Sequence, residues 1–270
     1  MADSRWVSLA LLVSTVLSCE ALRTCARKKL KSRYRPLFVE FVSTLQLCCC
    51  VHELRLLGEH GAADPQLLLI LVYAVTMVNV LTFAGATCNP NGTLEQLLSG
   101  RASLGSRTWP WLACQFGAAL LARFGMARLW TLKLSPLHSL GCLECQSGIH
   151  TDDLLLATGV EAFCAFVVQN SLLYVRGKQL KYQAHVFAAI VVLLVYAGGN
   201  ITGAVFNQAL AFSIYFHCKG NTFLEYAVVY WLGPAIGMAF SVVLCDCIFP
   251  RLSSSCARKS KCSSKGEKTN

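Results

Sequence analysis

The sequence predicts an all-α membrane protein. Six spanning helices and two short re-entrant half-helices form an inverted repeat, and an extra hydrophobic helix precedes them. Of the 270 residues, 55% are hydrophobic and only 14% are charged, whereas soluble domains carry about 25% charged residues. Seven apolar stretches are each long enough to cross a hydrocarbon core of about 30 Å. Two loops that follow such stretches share one sequence pattern. This composition excludes a soluble enzyme and a disordered chain.

The charged residues between the predicted spans are unevenly distributed. The spans are predicted at residues 6–22, 37–57, 66–86, 109–130, 153–175, 184–200 and 224–249. The formal net charge is +10, and the loops on one side of the bundle hold most of the basic residues, among them Arg23, Arg27, Arg35 and Arg176. Because cytosolic loops carry an excess of Lys and Arg, we expect a cytosolic C-terminus and an N-terminus on the other side. The same bias explains the basic clusters, so no nucleic-acid partner is predicted.

The first predicted span, residues 6–22, has two interpretations. It is a short apolar run near the N-terminus, as in a signal peptide, but its positive charges follow the run. A signal peptide carries them before the run. We therefore expect an uncleaved anchor, with cleavage as the alternative.

The two halves of the chain repeat one pattern. Residues 85–89 and 203–207 both read G-A-x-x-N at the end of a span, and each is followed by a stretch too short to cross a membrane. Each half also begins with a glutamate inside an apolar span, Glu40 and Glu161. Since each unit holds three spans, the second unit runs opposite to the first. Interrupted segments at matching positions of inverted repeats lie near the bilayer midplane and line a cavity.

Asn89 and Asn207 occupy the position where each short helix begins, which is a position that asparagine favours as a cap. Two half-helices that meet by their N-termini aim two positive dipole ends at one point. Such a centre repels protons and cations, while amide N–H groups hold a neutral oxygen. The alternative is that both segments are ordinary re-entrant caps with no role in conduction.

Fifteen cysteines are present, most of them inside predicted spans. Cys142, Cys145 and Cys218 lie on the predicted outer side, where we expect a disulfide or a role in assembly. The C-x-x-C spacing of the first two is only a weak indication of a metal or redox site. No metal site and no cofactor are predicted.

These motifs resemble a known family. "GATCNPNG" and "GAVFNQAL" resemble the two asparagine–proline–alanine boxes of the aquaporins, the major intrinsic proteins, and "CQFGAA" and "VVYWLGPAIG" support the resemblance. "EFVSTLQLCCCVHEL", "IHTD" and "YAGG…TGAVFN" are similar to the unorthodox, aquaporin-11-like branch of super-aquaporins. The residues that the resemblance places in the pore motifs are Asn89, Pro90, Asn91, Asn207, Gln208 and Ala209. It also implies that Glu40 and Glu161 each accept hydrogen bonds from the half-helix loop of their own half; a proton-relay role is the alternative.

Three positions depart from the pattern of that family. Asn91 replaces the alanine of the first box, and Gln208 replaces the proline of the second. Because proline fixes φ at the first helical position, we expect the second half-helix to be slightly looser but still capped by Asn207. Leu210 replaces the arginine that narrows the outer filter in orthodox water channels. As the selectivity-filter candidate, Leu210 predicts a wider, more apolar constriction.

The resemblance implies a passive channel for water, glycerol and hydrogen peroxide, a homotetramer, and an endoplasmic reticulum membrane, with the plasma membrane as the alternative. Membrane lipid and small neutral solutes are then the partners. We expect an anchor and basic linker at 1–35, a channel domain at 36–250 with repeats at 36–131 and 151–250, and a basic cytosolic tail at 251–270. Catalysis is not expected. The alternatives are an inverted-repeat solute carrier and a structural membrane protein with a closed pore.

Overall fold

The computed structural model describes residues 2–100, 108–141 and 145–244. Cys142 and the tail 251–270 lie outside these residues. The described chain is helical, and its extended pairing is a single bridge between Gln146 and Lys219. The helices are α1 (Ala2–Lys29), α2 (Arg35–Glu59), α3 (Pro65–Thr82), α4 (Pro90–Leu98), α5 (Thr108–Trp130), α6 (Pro136–Gly141), α7 (Leu154–Val175), α8 (Leu180–Thr202), α9 (Gln208–Tyr215), α10 (Phe223–Ala227) and α11 (Gly233–Val243), with a π-helical segment at Val228–Leu232 between the last two.

Six helical segments of the described chain are long and apolar enough to cross a membrane: Ser4–Lys29, Arg35–Glu59, Pro65–Thr82, Leu154–Val175, Leu180–Thr202 and Phe223–Val243. Helix α5 forms where the fourth span is predicted, but it is not among the six. It carries Arg123 and Arg128 in its second half, which lowers its apolar character. The partner of Arg123 is described below.

Helices α1 and α2 form an antiparallel hairpin. Ser8 near the start of α1 donates to Glu53 near the end of α2, and Arg23 near the end of α1 donates to Gln46 in the middle of α2. The assignment of Arg23 to a basic linker after the first span is therefore wrong. Helix α1 continues to Lys29, and the Arg23 side chain is fully buried. Its charge is satisfied by α1 and α2 and not by solvent.

The helices of the two repeats pack in matching ways. Gln115 and Trp130 of α5 contact Glu40 and Glu53 of α2 in the same order, so these first and third helices of the first repeat run parallel. In the second repeat α11 runs parallel to α7. There a Cβ on Gly237 would overlap the carbonyl oxygen of Ala162, so only glycine permits this approach. Helices α3 and α8, the middle helices of the repeats, pack against each other.

Candidate functional site: two half-helices that meet by their N-termini

The first re-entrant loop is held by Glu40 of α2, whose side chain is 2% exposed. One carboxylate oxygen accepts the Cys88 N–H at 2.8 Å and the Gln115 amide at 2.7 Å. The other accepts the Thr87 N–H at 3.0 Å. Non-helical backbone at membrane depth needs such partners, because lipid supplies none. Glu40 therefore lies behind the re-entrant loop of its own half.

Glu161 of α7 holds the second loop in the same way. It is fully buried and accepts the N–H groups of Val205 at 2.9 Å and Phe206 at 2.6 Å. It also accepts the Thr202 hydroxyl at 2.7 Å. The two glutamates thus take equivalent places in the two repeats.

Asn89 and Asn207 cap the two half-helices, α4 and α9. The Asn89 side-chain oxygen accepts the N–H of Asn91 at 3.0 Å. The Asn207 oxygen accepts the N–H groups of Ala209 at 3.0 Å and Leu210 at 3.2 Å. Capping satisfies N–H groups that the first helical turn leaves unpaired. The cap that the sequence predicts at Asn207 is present although glutamine follows it.

Each asparagine amide also reaches across to the opposite loop. Asn207 Nδ2 donates to the Cys88 carbonyl at 2.8 Å, and Asn89 Nδ2 donates to the Phe206 carbonyl at 3.2 Å. Cys88 and Phe206 have positive φ angles of 53° and 41°, which cost about 1–2 kcal/mol for a residue with a Cβ. This conformation directs both carbonyls at the partner loop. The two helix N-termini therefore meet through a pair of crossed hydrogen bonds, and each amide keeps a second N–H.

The two departures from the box pattern contact each other. Gln208 Nε2 donates to Asn91 Oδ1 at 2.7 Å, and Asn91 Nδ2 donates to the Phe206 carbonyl at 3.3 Å. The sequence analysis missed this contact, because it compared Asn91 and Gln208 separately, each with the residue usual in its own box. The inverted repeat was the signal that could have found it, since it places the two box positions face to face.

The half-helices leave the junction in opposite directions. Helix α4 ends near Arg176, which pairs with Glu95 at 3.5 Å; this side, which also carries Arg27 and Arg35, is called the basic end. A cavity of about 440 Å³ opens there, lined by residues that include Arg35, Val39, Gly85, Thr87, Thr93 and Trp111.

Helix α9 ends at the opposite side, called the disulfide end because Cys145 and Cys218 are joined there. The chain beside this disulfide is tied by backbone bonds between Lys219 and Ser147 at 2.7 Å and between Lys219 and Cys145 at 3.0 Å. The sequence predicted a disulfide among three cysteines, and these two form it. Cys142 lies outside the described residues.

Two arginines donate to the C-terminal carbonyls of α9. Arg123 of α5 donates to the Ser213 carbonyl at 3.3 Å, and Arg55 of α2 donates to the Ile214 carbonyl at 3.1 Å. Positive charge is favourable at the negative end of a helix dipole. The partner of Arg123 is thus a helix carbonyl. Leu54 and Leu56 flank Arg55 in the sequence, and this pattern does not indicate such a role.

Leu210 is 9% exposed and belongs to an apolar cluster that surrounds α9. The cluster also contains Val205, Ala209, Tyr226 and Tyr230. The leucine therefore stands beside apolar and aromatic groups one turn from the Asn207 cap. No arginine is contributed by α9 itself.

Known proteins resemble the chain in sequence and in fold. No model of a protein family matches it. Aquaporin-11 of Homo sapiens is 39% identical over 247 residues, which cover 91% of this chain and 90% of that protein. Aquaporin-12 of Mus musculus is 38% identical over 254 residues, which cover 91% and 87%. The X-ray structure of the aquaglyceroporin from Plasmodium falciparum matches with a TM-score of 0.67 and 17% sequence identity, and covers 82% of this chain and 98% of that chain. At this identity the last likeness concerns the fold alone.

Proposed function

The chain belongs to the aquaporin family, and from this premise we propose that it is a passive channel for water and small neutral solutes, with glycerol and hydrogen peroxide among them. The observation that carries the proposal is the meeting of α4 and α9 by their capped N-termini. Two positive dipole ends and two asparagine amides at one point favour a neutral oxygen and disfavour cations.

In this proposal, solute transport requires no conformational change of the protein. Both re-entrant loops are fixed by buried glutamates and by crossed asparagine bonds. A carrier that alternates between two states would have to break such contacts in each cycle. We therefore infer a pore in preference to a carrier. A homotetramer in the endoplasmic reticulum membrane remains part of the proposal, supported by the resemblance to the super-aquaporins.

Stopped-flow measurements on reconstituted vesicles test the proposal. We expect water and glycerol fluxes that rise linearly with the gradient and have a low activation energy. Saturable flux would instead indicate a carrier, and flux equal to that of empty vesicles would indicate a closed structural protein.

An Asn207→Asp variant tests the pore centre. The substitution keeps the capping oxygen, but it replaces the amide that donates to Cys88 with a second oxygen. The aspartate also has no second N–H to donate to a water molecule in the pore. The loss of that hydrogen bond, about 1.4 kcal/mol, should lower water permeability about tenfold, and the negative charge should allow a cation leak. Asn200→Asp, at an exposed asparagine of α8, is the control. An inserted Asn207→Asp channel with unchanged water flux and no leak would remove Asn207 from the pore.

A further inference from the structure

Asn91 and Gln208 are the two residues that depart from the boxes, and they form one buried contact. They are 4% and 3% exposed, so both lie inside the junction and not on an open lumen wall. Gln208 Nε2 donates to Asn91 Oδ1 at 2.7 Å. Asn91 Nδ2 is directed at the Phe206 carbonyl, 3.3 Å away, and this fixes the Asn91 oxygen towards Gln208.

The inverted repeat makes this contact one-sided. Its symmetry equates Asn91 with Ala209 and Gln208 with Pro90, since each pair holds the same place after its capping asparagine. Pro90 and Ala209 have no side-chain donor or acceptor. The polar pair thus occupies one of two equivalent places in the junction, and the other place keeps the proline and alanine of the ordinary box.

The two amides depend on each other for their burial. Within the described residues, Gln208 Oε1 is buried without a hydrogen-bond partner in the protein. The hydrogen bond to Asn91 is therefore what offsets the cost of burying the Gln208 amide. A buried polar group is costly when it loses its partner, whereas removal of both partners together costs little. Each residue is thus unfavourable without the other.

We propose that Asn91 and Gln208 are paired positioning residues that lock the N-termini of α4 and α9 together. The pair takes over the role of the missing proline, because it fixes the start of α9 from across the junction. It thereby holds Phe206, whose carbonyl accepts both Asn89 and Asn91, and keeps the two capping asparagines in register. The effect on permeation rests on the proposed channel function; the coupling between the two residues does not.

Three variants separate a paired role from two independent ones. Asn91→Ala and Gln208→Pro each leave one amide without its partner. The double variant N91A/Q208P removes both amides and installs on this side the proline and alanine that Pro90 and Ala209 supply on the other. A fourth variant, N91Q/Q208N, exchanges the two amides and keeps the summed side-chain length. Each is measured for thermal unfolding in detergent and for water permeability per inserted protein.

We expect each single variant to lower water permeability about three- to tenfold and to unfold several degrees below the unmodified chain. The double variant and the exchange variant should recover to within about twofold of the unmodified permeability. A single variant that fails to accumulate while the double variant accumulates reports the same coupling. Additive losses, with the double variant worse than either single one, would overturn the inference.

The failure of the channel function would leave a different result. If the unmodified chain conducts neither water nor glycerol, the proposed function is wrong, and recovery of the unfolding temperature in the double variant still decides whether the residues are coupled. If the unmodified chain conducts and the unfolding effects are additive, the proposed function stands and the pairing is wrong.

Discussion

Glu40 and Glu161 show why an ionisable residue is retained inside an apolar span. A carboxyl group in a membrane is expensive and needs partners. Each glutamate accepts two backbone N–H groups from a loop that has no helical partners, and these N–H groups would otherwise face an apolar interior. The same hydrogen bonds thus satisfy both the buried carboxylate and the backbone N–H groups of the loop.

A Glu161→Gln variant tests this role. The amide presents a donor to one of the N–H groups that the carboxyl group now accepts, so one buried donor loses its partner at a cost of about 1–3 kcal/mol. We expect a thermal unfolding temperature in detergent that is several degrees lower, together with reduced water flux. Asp152→Asn, at an exposed carboxylate, is the matched control and should change neither quantity. An unchanged unfolding temperature for Glu161→Gln would mean that the loop is held by other contacts.

At the narrow part of the proposed pore, Leu210 would offer a permeant neither a charge nor a donor. A hydroxyl that passes it sheds water without a fixed replacement, which costs about 1–3 kcal/mol for each unpaired group. Water flux is slowed about tenfold for each 1.4 kcal/mol. Glycerol has apolar surface that packs against leucine, so it loses less. We therefore expect low unit water permeability and a high ratio of glycerol to water flux.

Leu210→Arg should lower that ratio, because it should reduce glycerol flux more than water flux. A guanidinium beside the Asn207 cap restores donors for water and adds bulk and charge that hinder glycerol. Paired water and glycerol permeabilities in the same vesicles measure the effect, with Leu210→Met as the volume-conserving control. The same ratio in both variants would show that Leu210 does not line the narrow part of the pore.

At the scale of elements, α1 is part of the fold and more than a membrane anchor. Arg23 donates to Glu20 at 2.9 Å, to Gln46 at 2.7 Å and to Ser43 at 3.4 Å. Gln46 in turn donates to Asn79 of α3 at 2.8 Å, and Ser43 donates to the Phe83 carbonyl at 3.3 Å. The network therefore connects α1 to the end of α3, where the first re-entrant loop begins.

An Arg23→Met variant should detach α1. Methionine keeps much of the volume but removes three donors, and it leaves the buried Gln46 oxygen unpaired at about 1–3 kcal/mol. We expect a lower unfolding temperature and faster proteolysis within α1. Arg27→Met is the control, because Arg27 is exposed and bonds only within α1 in the described chain. Equal effects of the two variants would show that the buried network does not fasten the helix.

The sequence predicts the elements better than the contacts between them. The spans and both half-helices follow from apolar length and from the repeated G-A-x-x-N pattern, because these are properties of neighbouring residues. The burial of Arg23 and the Asn91–Gln208 bond depend on which helix faces meet, and neither apolar length nor motif spacing carries that information. The π-helical segment at Val228–Leu232 interrupts the last span directly before Gly233 and Pro234. Because proline has no N–H for the carbonyl four residues earlier, the sequence indicates a perturbed helix here, but it does not indicate the π-helical form.

At the scale of the whole molecule, the disulfide closes the bundle at one end. Cys145 follows the first repeat and Cys218 follows α9 of the second, with a sequence separation of 73. The bond therefore joins the segment between the repeats to the chain that follows α9. Disulfides persist in oxidising compartments, and the charge bias predicts an outer position for these cysteines.

Breaking the Cys145–Cys218 disulfide should loosen the C-terminal end of the second half-helix, α9. A disulfide typically stabilises a fold by about 2–4 kcal/mol, and α9 has two further restraints there, the donors Arg55 and Arg123. We therefore expect Cys145→Ser and Cys218→Ser to lower the unfolding temperature by similar amounts, and the double variant to be no worse than either single one. Cys25→Ser, at an exposed free cysteine, is the control. A dithiol reductant should lower the unfolding temperature of the unmodified chain to that of the serine variants. The same reductant should not change the unfolding temperature of the serine variants. A double variant markedly less stable than both single ones would mean that the two thiols act separately and that the bond does not secure α9.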